Sequence, residues 1–190
     1  MSYFGVSLDF DDVLYNLTKI NIDYVEKTYG VKLNPLEIDR FSYYIDEGYE
    51  SIIENVWNNP KTYLQSELYD GAFEFYSKLK ELITKDRIQI VTTSLPDIIN
   101  DKNIFIKEKL NIDCNVIHSK NKFEFTKNTI LVDDSINNIL KHVEINNDPG
   151  IIFNLGYGWN KSLKENNVNI FRGNSYNETL YIIKNLLSIS

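Results

Sequence analysis

Short apolar runs recur along the chain at 4–8, 88–91, 116–117, 130–132 and 151–153, and each ends in a polar or small residue. Unalternated runs of this length are what strands buried on both faces of a parallel sheet show. Between them the period changes. Segment 71–83 puts Ala72, Phe75, Tyr76, Leu79 and Leu82 on one helical face, 135–143 follows a Ser or Asp cap, and 176–187 carries Leu180, Ile183 and Leu187 at helical spacing. Strands alternating with helices predict an α/β fold: a Rossmann-like parallel sheet flanked by helices.

One stretch breaks the alternation. From about Tyr15 to Tyr69 there is no good buried strand, and helical patterns run over 17–29, 35–44 and 50–57, the last with a stripe of Ile52, Ile53, Val56 and Trp57. Gly30, Pro35, Gly48 and Pro60 punctuate the pieces. The expectation is a core formed by 1–14 and 70–190, with 15–69 inserted straight after the first strand. Ligands of open α/β sheets bind beyond the carboxyl ends of the strands, so an insertion there sits over the site as a helical cap.

Composition narrows the partners. The 190 residues suit one domain with an insertion, and no apolar run approaches the length of a membrane span. The 20 Lys+Arg against 27 Asp+Glu give a net charge of −7, whereas a protein that grips polymeric nucleic acid through its phosphates shows a basic excess. A small anionic ligand remains compatible, because one local cation overrides the global sign. The lone Cys114 excludes an internal disulfide, and the opening MSYFGVSLDFDDVL lacks the basic lead of an export signal. A reducing cytoplasm is therefore expected; a homodimer is left open.

Chemistry concentrates at the predicted strand ends. The first run ends in Asp9-Phe10-Asp11-Asp12, the second in Thr92-Thr93-Ser94; Lys120 and Lys122 follow the third, and Asp133-Asp134-Ser135 closes the fourth. If the strands are parallel neighbours, up to five carboxylates share one edge. Packed together they repel, unless some take up protons or a hard divalent cation such as Mg²⁺ joins them. In an extended segment, residues i and i+2 point the same way. Asp9 and Asp11 can thus address one reacting group, one as nucleophile on phosphorus and the other as proton donor and acceptor.

The order SLDFDDVL, IVTTS, Lys, ILVDDS resembles the haloacid dehalogenase (HAD) superfamily of phosphotransferases, whose pattern is hhhDxDx(V/T)L, hhh(T/S), Lys, hhhhDD. Within it the chain looks like the 5′(3′)-deoxyribonucleotidases. These also carry a helical cap between the first two motifs, and have counterparts of Gly71-Ala72, Ile90–Ser94 and a segment similar to Ile152-Phe153-Asn154 with Tyr157, Trp159 and Asn160. The resemblance implies a Mg²⁺-dependent phosphomonoester hydrolase for nucleoside monophosphates. Asp9 matches the nucleophile and Asp11 the general acid/base, which also lends its backbone carbonyl to the metal. Thr93, with Ser94 beside it, matches the phosphate-holding hydroxyl. Asp133 matches the metal carboxylate, and Asp134 a second ligand, direct or through water. Lys122 is the choice for the phosphate lysine; Lys120 is its rival. The chain departs from the commonest pattern at Asp12, where relatives most often have Gly, and at Val13, where Thr is commonest.

Other readings stand beside these. Asp133 and Asp134 can simply cap a helix, and Thr93 and Lys122 can be plain strand and loop residues. Trp57, Phe41, Tyr43, Tyr44, Tyr49 and Tyr63 offer stacking surfaces but read mainly as core. Trp159 and Asn160 either close over a ligand or pack a loop. His118 reads as a neutral loop histidine and His142 as helix surface. The alternatives in function are a HAD phosphatase for another small ester or a polynucleotide 3′-phosphate, and a catalytically inactive nucleotide-binding module.

Overall fold

The computed structural model describes residues 5–40, 42–64, 68–111, 114–161 and 169–188; Phe4 and Phe41 lie outside them. Six strands form one parallel sheet: β1 (Gly5–Leu8), β2 (Ile88–Thr92), β3 (Asn115–His118), β4 (Thr129–Asp133), β5 (Gly150–Phe153) and β6 (Ile170–Gly173), in the order β3-β2-β1-β4-β5-β6. The chain reverses direction across the sheet at the β1/β4 boundary, the switch point at which open α/β folds place their ligands. Leu8 pairs with Ile90 on one side and Val132 on the other, so the residues after β1, β2 and β4 emerge side by side.

The strands bury both faces. Ile130 and Val132 of β4 join Val6, Leu8, Ile88, Ile90, Ile151 and Phe153 in the larger core, while Leu131 joins Ile152, Ile170, Ile139 and Val143 on the other face. Helices α4 (Ala72–Leu82) and α7 (Tyr176–Ser188) pack together on the first of these, and α6 (Ile136–Asn146) on the second. The sequence misses β6, an edge strand whose apolar run is only Ile170-Phe171, and α5 (Ile99–Leu110), whose apolar stripe Ile98, Phe105, Ile106 is interrupted by Lys102.

Between β1 and β2 the described residues form α1 (Leu17–Tyr29), α2 (Tyr43–Asp46), a π-helical turn (Ile53–Trp57), α3 (Lys61–Leu64) and α4, with no strand of the sheet. The helix expected over 35–44 is absent: only Tyr43–Asp46 is helical. The Pro35 carbonyl accepts from Gly158 N (3.1 Å) and the Leu36 carbonyl from Lys161 Nζ (3.4 Å), so the loop after β5 takes the acceptors a helix would use. The stripe over 50–57 is wound more widely than expected, with Asn58 N donating to Ile53 O. His142, read as surface, is fully buried, with Nδ1 against Thr126 Oγ1 (2.8 Å) and Nε2 against the Pro149 carbonyl (3.2 Å). No helix among the described residues is long and apolar enough to cross a membrane.

Candidate active site

Asp9 follows β1 directly, and its N–H donates to Val132 O (2.8 Å), extending the ladder so that the side chain lies at the carboxyl edge beside Asp133, the last residue of β4. Lys122 reaches this edge from the turn after β3. Its buried Nζ lies 2.6 Å from Asp9 Oδ2 and 2.8 Å from Asp133 Oδ2. Lys120, the other candidate, is exposed. The two carboxylates hold the Lys122 ammonium above its ordinary range against the opposing effect of burial. Asp133 is fully buried; Ser135 N and Asn138 Nδ2 also donate to it.

Asp134 completes the cluster. Oxygens of Asp9, Asp133 and Asp134 lie within 4.8 Å of one another. Burial, opposed by Lys122, pushes Asp133 up to about 6, and burial together with Asp133, Asp12 and Asp9 pushes Asp134 well above the usual carboxylate range. One ammonium therefore does not balance three carboxylates. An all-oxygen set of this size suits a hard cation such as Mg²⁺, so the residues present fit one.

Three further groups complete the edge. Asp11 Oδ2 lies 2.6 Å from Lys102 Nζ, while its Oδ1 is buried without a hydrogen-bond partner. Burial raises the Asp11 carboxyl; Lys102 opposes this and Asp9 adds to it. Thr93 is exposed at the end of β2, its hydroxyl on Ser119 O (3.2 Å). Ser94 Oγ lies 2.9 Å from His118 Nδ1, whose other nitrogen meets Asn103 Oδ1 (3.0 Å). Burial, then Lys102, keeps that ring's pKa low and the histidine neutral.

No protein-family model matches the chain, and no curated protein does. Solved structures do. The chain is similar over 98% of its length, and 98% of the other chain, to a HAD-family hydrolase from Deinococcus radiodurans R1 with bound phosphate and sodium, at a TM-score of 0.63 and 13% identity. The chain has the haloacid dehalogenase fold. Two other HAD-fold neighbours are a candidate phosphatase from Clostridium difficile (TM-score 0.59, 16% identity, 97% and 99% covered) and a candidate HAD-hydrolase from Bacillus subtilis bound to magnesium (0.56, 14%, 96% and 99%).

Within this HAD fold, all seven sequence-nominated residues lie at the carboxyl edge. Asp9, Asp133, Asp134 and Lys122 form one cluster; Asp11, Thr93 and Ser94 border it. Asp12 takes a different part. It sits at φ 54°, the left-handed conformation that explains why glycine suits this position. Its carboxylate accepts from Thr18 N and Oγ1 (both 2.9 Å) and from the Tyr69 hydroxyl (3.2 Å), tying the start of α1 to the loop. Burial, opposed by the Thr18 bonds, raises it to about 7.

The loop after β5 also reaches the site. Trp159 Nε1 donates to Asp134 Oδ2 (2.8 Å), and Asn160 Nδ2 donates to Asp134 O (3.0 Å) and Phe153 O (2.9 Å). The Tyr157 hydroxyl donates to Asp12 O (2.9 Å) and is hydrogen-bonded to Tyr69, and its ring stacks on Trp159 at 4.4 Å. The residue that sequence reasoning missed is Lys102. Its signal was a lysine in the inward stripe Ile98, Lys102, Phe105, Ile106, at a spacing where a cation is out of place.

Proposed function

We propose that this protein is a phosphomonoester hydrolase that passes the phosphoryl group through Asp9. The observation that carries the reading is the Lys122 ammonium held between Asp9 and Asp133, with Asp134 beside them and Asp11 two residues from the nucleophile. An Asp9 oxygen attacks phosphorus as the bond to the leaving oxygen breaks, and Asp11 gives that oxygen a proton. Water then attacks the aspartyl-phosphate, returning a proton to Asp11 and freeing Asp9. Lys122 and the Thr93 and Ser94 hydroxyls neutralise and orient the phosphoryl oxygens. Asp9, Asp133, Asp134 and the Asp11 carbonyl would hold Mg²⁺, which supplies charge stabilisation to the transferring group.

The substrate class we propose is a nucleoside monophosphate, preferentially a deoxyribonucleotide, with 15–69 acting as the cap. The deoxyribonucleotidase-like elements support it, Gly71-Ala72 and Trp159-Asn160 among them. So does the aromatic pair Tyr157–Trp159 stacked next to Asp134.

The test is phosphate release from a panel of nucleoside monophosphates and sugar phosphates, with Mg²⁺ and with chelator, alongside Asp9→Asn. Mg²⁺-dependent release from deoxynucleotides, lost in the variant, supports the full reading. Release from other esters alone keeps the chemistry and moves the substrate. Wild-type turnover in Asp9→Asn would falsify the mechanism.

A further inference from the structure

His118 ends β3 at the carboxyl edge, paired with Thr92 of β2, and is half-buried there. Its ring is held at both nitrogens. Nε2 lies 3.0 Å from Asn103 Oδ1 on α5, and Nδ1 lies 2.9 Å from Ser94 Oγ. An amide oxygen only accepts, so Nε2 carries a hydrogen. The neutral ring then has its lone pair on Nδ1, and the Ser94 hydroxyl is the donor to it. A hydroxyl has one proton. In this state Ser94 has none left for a phosphoryl oxygen.

The same two partners also suit the doubly protonated ring. Asn103 Oδ1 goes on accepting from Nε2, and Ser94 Oγ, which accepts as readily as it donates, takes a bond from Nδ1. What opposes that form is the surroundings: burial, then Lys102, holds the ring neutral. The charged residues beside Asn103 on α5 are Asp101 and Lys102, and Lys102 is already paired with Asp11 (2.6 Å). The end of β2 presents Thr92 and Ser94, the flanking Ile117 and Ser119 carry no charge, and Lys120 is exposed. A dianion docked against Ser94 shifts this balance, because an opposite charge within about 4–6 Å favours the imidazolium.

We infer that His118 is the positioning residue for the Ser94 hydroxyl: when a phosphoryl group docks, the ring takes a proton on Nδ1 and donates to Ser94 Oγ, and the Ser94 proton turns to a phosphoryl oxygen. The inference rests on the phosphatase reading above and deepens it, since it couples substrate binding to the uptake of a proton. Ser94 keeps its own proton throughout. The proton on Nδ1 comes from solvent at the half-buried ring and returns there when phosphate leaves. Neither residue forms or breaks a bond to phosphorus.

The pH dependence of anion binding provides the test, since a merely structural histidine would change affinity by one factor at every pH. Sulfate is the probe, a tetrahedral dianion that does not titrate where histidine does. Its affinity is measured by calorimetry at pH 5 and pH 8 in wild type, Ser94→Ala, His118→Asn and the double variant. Inhibition of p-nitrophenyl phosphate hydrolysis reads the same affinities where the heat is too small. The neighbouring carboxylates also respond to pH, so the quantity compared is the gain in affinity from pH 8 to pH 5. That gain should be about tenfold larger in wild type than in either single variant, the worth of one hydrogen bond remade between charged partners. The double variant should lose little more than the singles, because both changes remove one device.

An undiminished gain in Ser94→Ala means that the ring answers to charge alone and overturns the inference. An undiminished gain in His118→Asn overturns it too, and both results leave the phosphatase reading intact. A wild type that neither binds sulfate nor releases phosphate from any ester removes the phosphatase reading, and the inference with it. Should His118→Asn fail to fold, Asn103→Leu takes its place. Without the Oδ1 acceptor the neutral ring can carry its hydrogen on Nδ1 and donate to Ser94 with no added proton. Asn103→Leu should therefore keep its affinity at pH 8 and lose the extra gain at pH 5; a gain as large as wild type's overturns the inference.

Discussion

The indole N–H of Trp159 donates to Asp134 Oδ2 at 2.8 Å, and the ring lies flat on Tyr157. The loop after β5 thereby orients a carboxylate that belongs to β4's end. Partners that orient metal-ligating carboxylates change metal affinity by about 10- to 100-fold when removed. Trp159→Phe keeps the stacking and removes the donor, so Mg²⁺ should bind at least about 10-fold more weakly in titration calorimetry. Trp57 is the other tryptophan. In Trp57→Phe, Mg²⁺ should therefore change the emission of Trp159 saturably. Unchanged affinity in Trp159→Phe would remove Trp159 from the site.

The acidic cluster sets a pH dependence of stability. Burial raises Asp12 to about 7 and Asp133 to about 6, and Asp11 and Asp134 are also raised. The unfolded chain releases these protons near pH 4, whereas the folded chain keeps them longer. Between about pH 4 and 7 the folded state binds more protons, so stability falls as pH rises through that window. With chelator, the melting temperature should be higher at pH 5 than at pH 7.5. Mg²⁺ should raise it more at pH 7.5 than at pH 5, because protons compete with the cation for the same carboxylates. Asp12→Asn should flatten the upper part of the chelator curve.

Much of this was legible in the sequence because strand ends and chemistry coincide. An apolar run that stops in Asp-Phe-Asp or Asp-Asp marks both a buried strand and what projects from its end. Segment 17–29 matches α1 to the residue, since Asn16 and Gly30 cap it on either side. What was not legible depends on contacts between distant segments. The 35–44 pattern is helical in isolation, yet Gly158 and Lys161 claim its early carbonyls. His142 looks like surface until Thr126 and Pro149 are known to face it. Lys102 is hidden because a lone lysine has no motif; only its depth and its partner Asp11 give it meaning.

Gly158 tests the docking of that loop on the inserted segment. A Cβ there would stand 2.4 Å from Ile38 O and 2.7 Å from Leu36 O, both backbone atoms with little room to yield. Gly158→Ala should displace residues 36–38 from the loop that carries Trp159. Overpacking of this kind costs about 1–3 kcal/mol. For a chain of this size that lowers the melting temperature by roughly 2–12 °C. KM should rise more than kcat falls, since Asp9, Asp11 and Lys122 are untouched. A kcat loss at constant KM would separate this contact from substrate binding.

Lys122 offers the sharpest test of the charge balance. It is the buried cation between Asp9 and Asp133, and both carboxylates are themselves nearly inaccessible. Removing one partner of a buried ion pair typically costs about 3–5 kcal/mol, because the charge left behind has neither water nor a counterion. Lys122→Met should therefore melt far below wild type in chelator at pH 7.5. Two conditions should restore part of the loss: Mg²⁺, which supplies positive charge to the same carboxylates, and low pH, which neutralises Asp133. Asp133→Asn in the Lys122→Met background should recover stability without either, since it removes one of the stranded charges. On the proposed function, phosphatase activity should not return under any of the three, because none of them restores an ammonium where the phosphate would bind. Recovery of stability in all three cases without recovery of turnover would separate the electrostatic role of Lys122 in the fold from its role in the reaction.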